Sequence, residues 1–207
     1  NIKLASGPNG FIKVSIFCKS GCLELKINSP STNSTINKSK GIIKGNLYNA
    51  FGETGVTIKS SGTGGEVSTL AQTQKTEFAG IIPLQTGTNT ITAIAADACG
   101  YKTQDTITIN TETLQEPIRL AAIPSSGIPT LNVTLEAEAY LQNPISNYQW
   151  DINGDGTPEY TGTDSKIQGQ YQQTGLYFPK VTITDNKGNT YEETTIVNVL
   201  SKEEIDA

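Results

Sequence analysis

Apolar residues recur at every second position in one short segment after another: Leu23, Leu25 and Ile27; Ile91, Ala93 and Ala95; Ile107 and Ile109; Leu131, Val133 and Leu135; Tyr148, Trp150 and Ile152; Val181 and Ile183; Val197 and Val199. A period of two puts those side chains on one face of an extended strand and their neighbours on the other. Between the segments lie clusters of Gly, Asn, Pro and Ser, as in SPSTNST (29–35), SSGTGG (60–65) and PSSGIPT (124–130). Such clusters turn the chain, and short strands punctuated this often predict an all-β sandwich rather than helices.

The alternation also carries a repeat. GTNTITAIAADACG (87–100) and GLYFPKVTITDNKG (175–188) both read Gly, an alternating strand, then Asp-x-x-Gly, and each is followed by another strand, QDTITIN (104–110) and ETTIVNV (193–199). Each copy is therefore expected to be a strand, a tight turn and an antiparallel return. An 88-residue offset between equivalent glycines is a whole domain rather than a solenoid unit. With 207 residues the chain accommodates two domains of about 100 residues each. The boundary falls in TETLQEPIRL, at Pro117, which gives 1–117 and 118–201 as domains and 202–207 as a charged tail. Residues 1–22 do not fit the repeat and read as an extra strand or as the end of a preceding domain. A start at Asn1 rather than Met predicts a mature protein or a piece of something longer.

Composition excludes several functions. The net charge is −5 and Lys and Arg form no stripe, so nucleic acid is not an expected partner. No run approaches the roughly 18 apolar residues of a membrane helix, so no membrane insertion is expected either. The chain has no His, which removes Ser-His-Asp and Cys-His chemistry and imidazole metal ligands. Glu192–Glu193 and Glu203–Glu204 are adjacent pairs that read as solvated charges, not as carboxylates facing across a cleft. SSGTGGE lacks the Lys and the following helix of a phosphate loop. No enzyme is expected. The cysteines are Cys18, Cys22 and Cys99. A local disulfide between Cys18 and Cys22 is the first expectation, with free thiols and a Cys22–Cys99 bridge as alternatives; any disulfide implies an oxidising, extracytoplasmic setting.

WDINGDGTPEY (150–160) is the segment with the most chemistry. Asp151, Asn153 and Asp155 are spaced like positions 1, 3 and 5 of a calcium loop, Gly156 like its glycine, Thr157 offers a carbonyl at 7 and Glu159 sits at 9. The bidentate Glu of position 12 is missing, since Gly162 stands there. The same Asn-Gly and Asp-Gly pairs also serve a polar turn with no metal at all. Calcium is thus the one candidate cofactor, and both readings stand. Tyr140, Tyr160, Tyr171 and Tyr191 are candidates for an exposed, ligand-binding face, or else half-buried strand tyrosines.

The segments SGIPTLNVTLEAEAY, ISNYQWDINGDG, YQQTGLYFPKVTITDNKG and ETTIVNV together resemble the PKD domain, with Tyr148, Trp150, Asp151, Asp155 and Gly156 on its hallmark and two residues inserted before Asp-Gly. The resemblance spans about residues 118–200 and implies a seven-stranded immunoglobulin-like sandwich with Trp150 packed in its core. Residues 23–112 are similar to the bacterial Ig-like domains strung along extracellular enzymes and surface proteins, through LKINSPSTNSTINKSKGIIKGNLYNAFGETGVTI and FAGIIPLQTGTNTITAIAADACG. The two resemblances imply tandem immunoglobulin-like β-sandwich domains in a secreted or cell-surface bacterial protein. Such a piece is expected to act as a non-catalytic stalk and protein-interaction unit, with other domains of the parent, surface proteins or polysaccharide as partners. The alternative is a carbohydrate-binding accessory module of an extracellular polysaccharide- or protein-degrading enzyme.

Overall fold

The computed structural model describes residues 22–201 and the strands Ile2–Ser6 and Ile12–Ile16; the charged tail 202–207 and Cys18 lie outside the described residues. Among those residues the chain is all-β, and no helix is long and apolar enough to cross a membrane. Strands β1 (Ile2–Ser6) and β2 (Ile12–Ile16) pair antiparallel with each other and with neither sandwich.

In the first sandwich, β3 (Glu24–Ser29), β5 (Lys40–Tyr48), β9 (Glu77–Pro83) and β8 (Gln72–Gln74) form one sheet in that order. Its partner sheet runs β4 (Ser34–Thr35), β11 (Lys102–Thr111), β10 (Gly87–Asp97), β6 (Thr54–Gly62) and β7 (Gly65–Leu70). SSGTGG carries the tight turn between β6 and β7, with Gly62 paired to Gly65 across it. In the second sandwich, β12 (Ile118–Ile123), β14 (Leu131–Ala139) and β17 (Lys166–Tyr171) make one sheet. The other holds β16 (Tyr160–Gly162), β15 (Ile145–Asp151), β19 (Lys180–Asp185) and β20 (Thr190–Thr194). It is prolonged by β13 (Ser126–Gly127), β21 (Val197–Val199) and β18 (Gly175–Tyr177), where the chain continues past Pro179 and past Thr195–Ile196.

Both sandwiches share one device. The opening strand pairs antiparallel with the second strand of its own sheet (β3 with β5, β12 with β14), then crosses and pairs parallel with the last strand of the opposite sheet (β4 with β11, β13 with β21). The crossings contain Pro30 and Pro124, each after a cis peptide bond. A proline donates no backbone hydrogen bond, so it sits where the chain leaves one ladder before joining the next. One strand gripping both sheets, with the strand order above, makes these two immunoglobulin-like sandwiches in tandem.

The alternation read from the sequence is the packing itself. Along β5, Gly41, Ile43, Gly45 and Leu47 point inward; along β14, Leu131, Val133, Leu135 and Ala137 do. Phe78 is paired with Gly45, where a Cβ would lie 2.4 Å from the Phe78 ring and 2.2 Å from the Lys26 carbonyl oxygen, so the ring fills the space that the glycine leaves. Two separate cores result, one around Ile43, Leu47, Ile58, Phe78, Ile82 and Ile91, the other around Ile118, Leu135, Trp150, Val181 and Ile183.

Trp150 is fully buried, lies nearly parallel to Tyr148 at a ring distance of 6.4 Å, and donates its indole N–H to the Asp164 carbonyl at 3.0 Å. Replacing it leaves a large cavity and an orphaned carbonyl. Trp150→Ala should therefore destabilise the second sandwich by about 3–5 kcal/mol. Denaturant titration checks this: the midpoint for the second sandwich should fall while that of Phe78→Ala, a cavity in the first, moves the other transition.

Candidate functional site

Residues 152–159 form an irregular loop between β15 and β16, organised around Asp151, the last residue of β15. That carboxylate is buried. Its Oδ1 accepts the backbone N–H groups of Gly154 (2.7 Å) and Asp155 (3.1 Å), and its Oδ2 accepts that of Gly156 (2.8 Å). Asp155 and Asn153 bond each other twice: the Asp155 N–H donates to Asn153 Oδ1 at 2.7 Å, and the Asn153 amide donates to Asp155 Oδ2 at 3.1 Å. Asp155 Oδ1 also accepts the Thr157 N–H at 2.7 Å. These donors hold the Asp155 carboxyl below its usual range. Glu159 folds back so that its carboxylate accepts the Ile152 N–H.

Of the five residues proposed from the sequence, the structure brings together the carboxylates of Asp151, Asp155 and Glu159, which offer oxygens within 4.8 Å of one another. No Lys or Arg ion pair among the described residues neutralises them. A carboxylate has roughly four lone-pair sites, so Asp151, with three N–H donors, has about one to spare, and Asp155 and Glu159 have more. Three converging oxygens suit a hard divalent cation such as calcium. Asn153 and Thr157 are engaged with Asp155. Gly154 has φ +80° and its would-be Cβ lies 2.7 Å from the Phe178 carbonyl oxygen, so only glycine lets the loop lie against the segment between β18 and β19.

The repeated Asp-x-x-Gly turns are two copies of one structure. Asp97 Oδ1 accepts the N–H groups of Cys99 and Tyr101, both at 3.0 Å; Asp185 Oδ1 accepts those of Lys187 and Asn189, both at 2.9 Å. Gly100 (φ +82°) and Gly188 (φ +84°) close the turns. Asp185 Oδ2 also takes the side-chain amides of Asn189 and Asn143, each at 2.8 Å. With the Asn189 amide contributing most, its carboxyl is held down at about 2.

The cysteines differ from the first expectation. Cys22 is a free, exposed thiol, so the Cys18–Cys22 bridge does not form, nor does one from Cys22 to Cys99. Cys99, in the Asp97 turn, is disulfide-bonded. Proximity in sequence favoured a pair that Cys22 does not enter: it sits at the foot of β3 with its thiol free and exposed. The tyrosines do not share one face. Tyr171 is buried, donates its hydroxyl to the Ile152 carbonyl at 2.8 Å, and burial pushes its pKa up. Tyr160 is half-buried and bonded to Asp164; Tyr140 is exposed, and Tyr191 is half-buried near it.

A second cluster lies between the sandwiches. Gln74 of β8 is buried to 3% exposure and donates to the Val199 carbonyl at 2.9 Å and to Asn198 Oδ1 at 3.4 Å. The Lys44 ammonium lies 3.2 Å from the centre of the Phe178 ring, and burial lowers its pKa. Lys38 donates to the Glu192 carbonyl at 2.7 Å and pairs with Glu193 at 3.3 Å. Ser39 bonds Glu116 of the connecting segment 112–117. Only Phe178–Pro179, which interrupts the alternation of GLYFPKVTI, marks this joint in the sequence.

No family model and no curated protein matches the chain. Among solved structures, an engineered protein aligns with 43% of this chain and 20% of its own length at 16% identity and a TM-score of 0.37. Fibronectin(III)-like modules of Clostridium thermocellum CbhA align over 85% of this chain and 94% of theirs, at 14% identity and 0.31. A bacterial ice-binding adhesin aligns over 87% of this chain and 65% of its own, at 14% and 0.33. At such TM-scores none of them bears on what this chain does, and the fold rests on its own strand order.

Asp185 sets a pH dependence. Its folded pKa, about 2, lies below its ordinary 3.8, so it stabilises the second sandwich above pH 4 or so and loses that contribution as pH falls from there through 2. Asp185→Asn should unfold more easily at neutral pH and show a flatter stability profile across that window, as measured by denaturant titrations at a series of pH values.

Proposed function

We propose that this chain is a non-catalytic, load-bearing and adhesive segment of a larger secreted or cell-surface bacterial protein, in which two immunoglobulin-like sandwiches, the second of PKD type, form one stiff spacer. The observation that carries this reading is the joint. A buried amide, a cation over an aromatic ring and an ion pair all bridge the two cores across a connection of only six residues between Thr111 and Ile118. A flexible pair of beads needs none of these contacts, since inter-domain motion is the default for small polar interfaces. The buried Gln74 amide fixes register, because tilting one sandwich would strand its amino group away from the Val199 carbonyl to which it donates.

Other features support the setting. The disulfide at Cys99 suits an oxidising compartment. The absence of His and the use of Asp97, Asp151 and Asp185 as backbone acceptors leave no acid–base machinery of the usual kind. Partners in this reading are flanking domains of the parent protein, surface proteins or polysaccharide, met by loops at the sandwich ends and not by a catalytic cleft.

The test is rotational. In NMR relaxation, amides of both sandwiches should report one common tumbling time, and small-angle scattering should give a narrow distribution of shapes. The triple change Lys38→Ala, Lys44→Ala and Gln74→Ala should separate the tumbling times and raise the radius of gyration with both sandwiches still folded. Separate tumbling times in the unaltered protein would overturn the spacer reading.

The loop at 151–159 adds calcium to the same reading. Oxygens of Asp151, Asp155 and Glu159 would hold the ion, with Asn153 and Thr157 as further donors, at the millimolar-range affinity of extracellular modules, about 10⁻⁴ to 10⁻³ M. The ion would screen three like charges and stiffen the loop. After chelation, adding 5–10 times the upper affinity in calcium, roughly 10 mM, should raise the melting temperature of the second sandwich by several degrees. Asp155→Ala should abolish the shift; no shift in the unaltered protein would mean that the backbone N–H groups alone hold the loop.

A further inference from the structure

Where the connecting segment meets the second sandwich there is a groove of about 420 Å³, inside the range of roughly 300–1,000 Å³ for small-ligand sites. Tyr140 and Tyr191 line it, with Gln115, Glu116, Gln142 and Asn143. Three properties set it apart from the other surface depressions. Tyr140 is 58% exposed yet fixed: its hydroxyl donates to Glu138 at 2.8 Å and the Arg119 guanidinium stands 5.5 Å from its ring centre. An aromatic ring already ordered in the free protein costs little to order again when a ligand stacks on it. Most hydrogen-bonding groups around it are unengaged among the described residues: the side chains of Gln115 and Gln142 and the Tyr191 hydroxyl make no hydrogen bond there, and Asn143 uses only its amino group, on Asp185. The groove also carries little net charge, since its one lining carboxylate, Glu116, is matched by Arg119 at 3.9 Å and bonded to Ser39.

We propose that this groove binds a stretch of neutral polysaccharide. A sugar ring offers an apolar C–H face to Tyr140 and, around its rim, hydroxyls that both donate and accept, which amides and a phenol match in both directions. An anionic polymer would find no unpaired cation in the groove, and an apolar peptide would leave the amides unsatisfied. The inference goes beyond the spacer reading: the joint can be stiff whether or not the groove is occupied, and the two are tested by different measurements.

Electrophoresis of the folded chain in native gels containing soluble neutral polysaccharides (hydroxyethylcellulose, xylan, galactomannan, glycogen) or the anionic alginate tests it. Retardation is expected in at least one neutral gel. Tyr140→Ala should weaken that retardation about tenfold, a change of the size that loss of one stacked ring produces. Tyr140→Phe, which keeps the ring but loses the Glu138 bond, should weaken it less than Tyr140→Ala does, and Tyr101→Ala, a change at another exposed tyrosine, should leave it unaltered. Gln142→Ala, on an exposed side chain, provides a second variant whose weaker retardation is expected independently. Retardation by none of the neutral polymers, by alginate alone, or to the same extent in Tyr140→Ala overturns the proposal.

Discussion

A carboxylate taken out of water must fill its lone pairs or take up a proton, and three buried aspartates in this chain satisfy that constraint in one way. Asp97, Asp151 and Asp185 each gather backbone N–H groups from the residues that follow them. The turns that close β10 onto β11 and β19 onto β20 depend on this, and so does the loop after β15. Because each last strand is also the partner of its sandwich's crossing segment, a failed turn would loosen the strand that holds both sheets together. Structural need thus accounts for carboxylates that composition alone would leave open to catalysis.

The same economy of polar groups governs the joint. An interface made of apolar side chains alone would tolerate sliding, because dispersion and burial are nondirectional. Gln74, Lys38 and Lys44 instead impose directions. An amide must meet a carbonyl, an ammonium must meet a ring face, and an ion pair must meet its counter-charge. The Lys38–Glu193 pair by itself is worth little, as partly exposed pairs are, about 0–1 kcal/mol. Its value lies in acting together with the buried amide, whose displacement leaves two unsatisfied groups in place of one.

How much of this was readable beforehand follows from the range of each interaction. Strand phase is local, so Leu131, Val133 and Leu135 declared their face in the sequence, as did the Asp-x-x-Gly turns, whose donors lie within four residues of the aspartate. The Asp151 loop was legible as a cluster of oxygens, though spacing could not reveal that Asn153 bonds Asp155. Cysteine pairing was not legible, since nothing in the spacing tells that Cys22 is left as a free, exposed thiol while Cys99 is bonded. Nor was Tyr171 separable from Tyr140 by residue type, although its place at the inward phase at the end of β17 sets it in the core. Least legible was the joint, because Lys38 and Glu193 are 155 positions apart, and Glu193, one of a pair expected to be solvated charges, is instead buried and paired with Lys38.

The loop and the joint are mechanically continuous. Gly154 packs against the Phe178 carbonyl, and the ring of the same Phe178 lies beneath Lys44 of the other sandwich. Phe178 and Pro179 are also where the path from β18 to β19 breaks its ladder, so this residue is held less by strand pairing than by what flanks it. On one side that is the Asp151 loop and on the other the Lys44 ammonium. In the spacer reading, a looser loop would free the Phe178 backbone, tilt its ring away from the cation and weaken this aromatic contact across the joint. In the same reading the acidic loop would thus bear on the joint at Phe178, and glycine at 154 is what allows it to come close enough to do so.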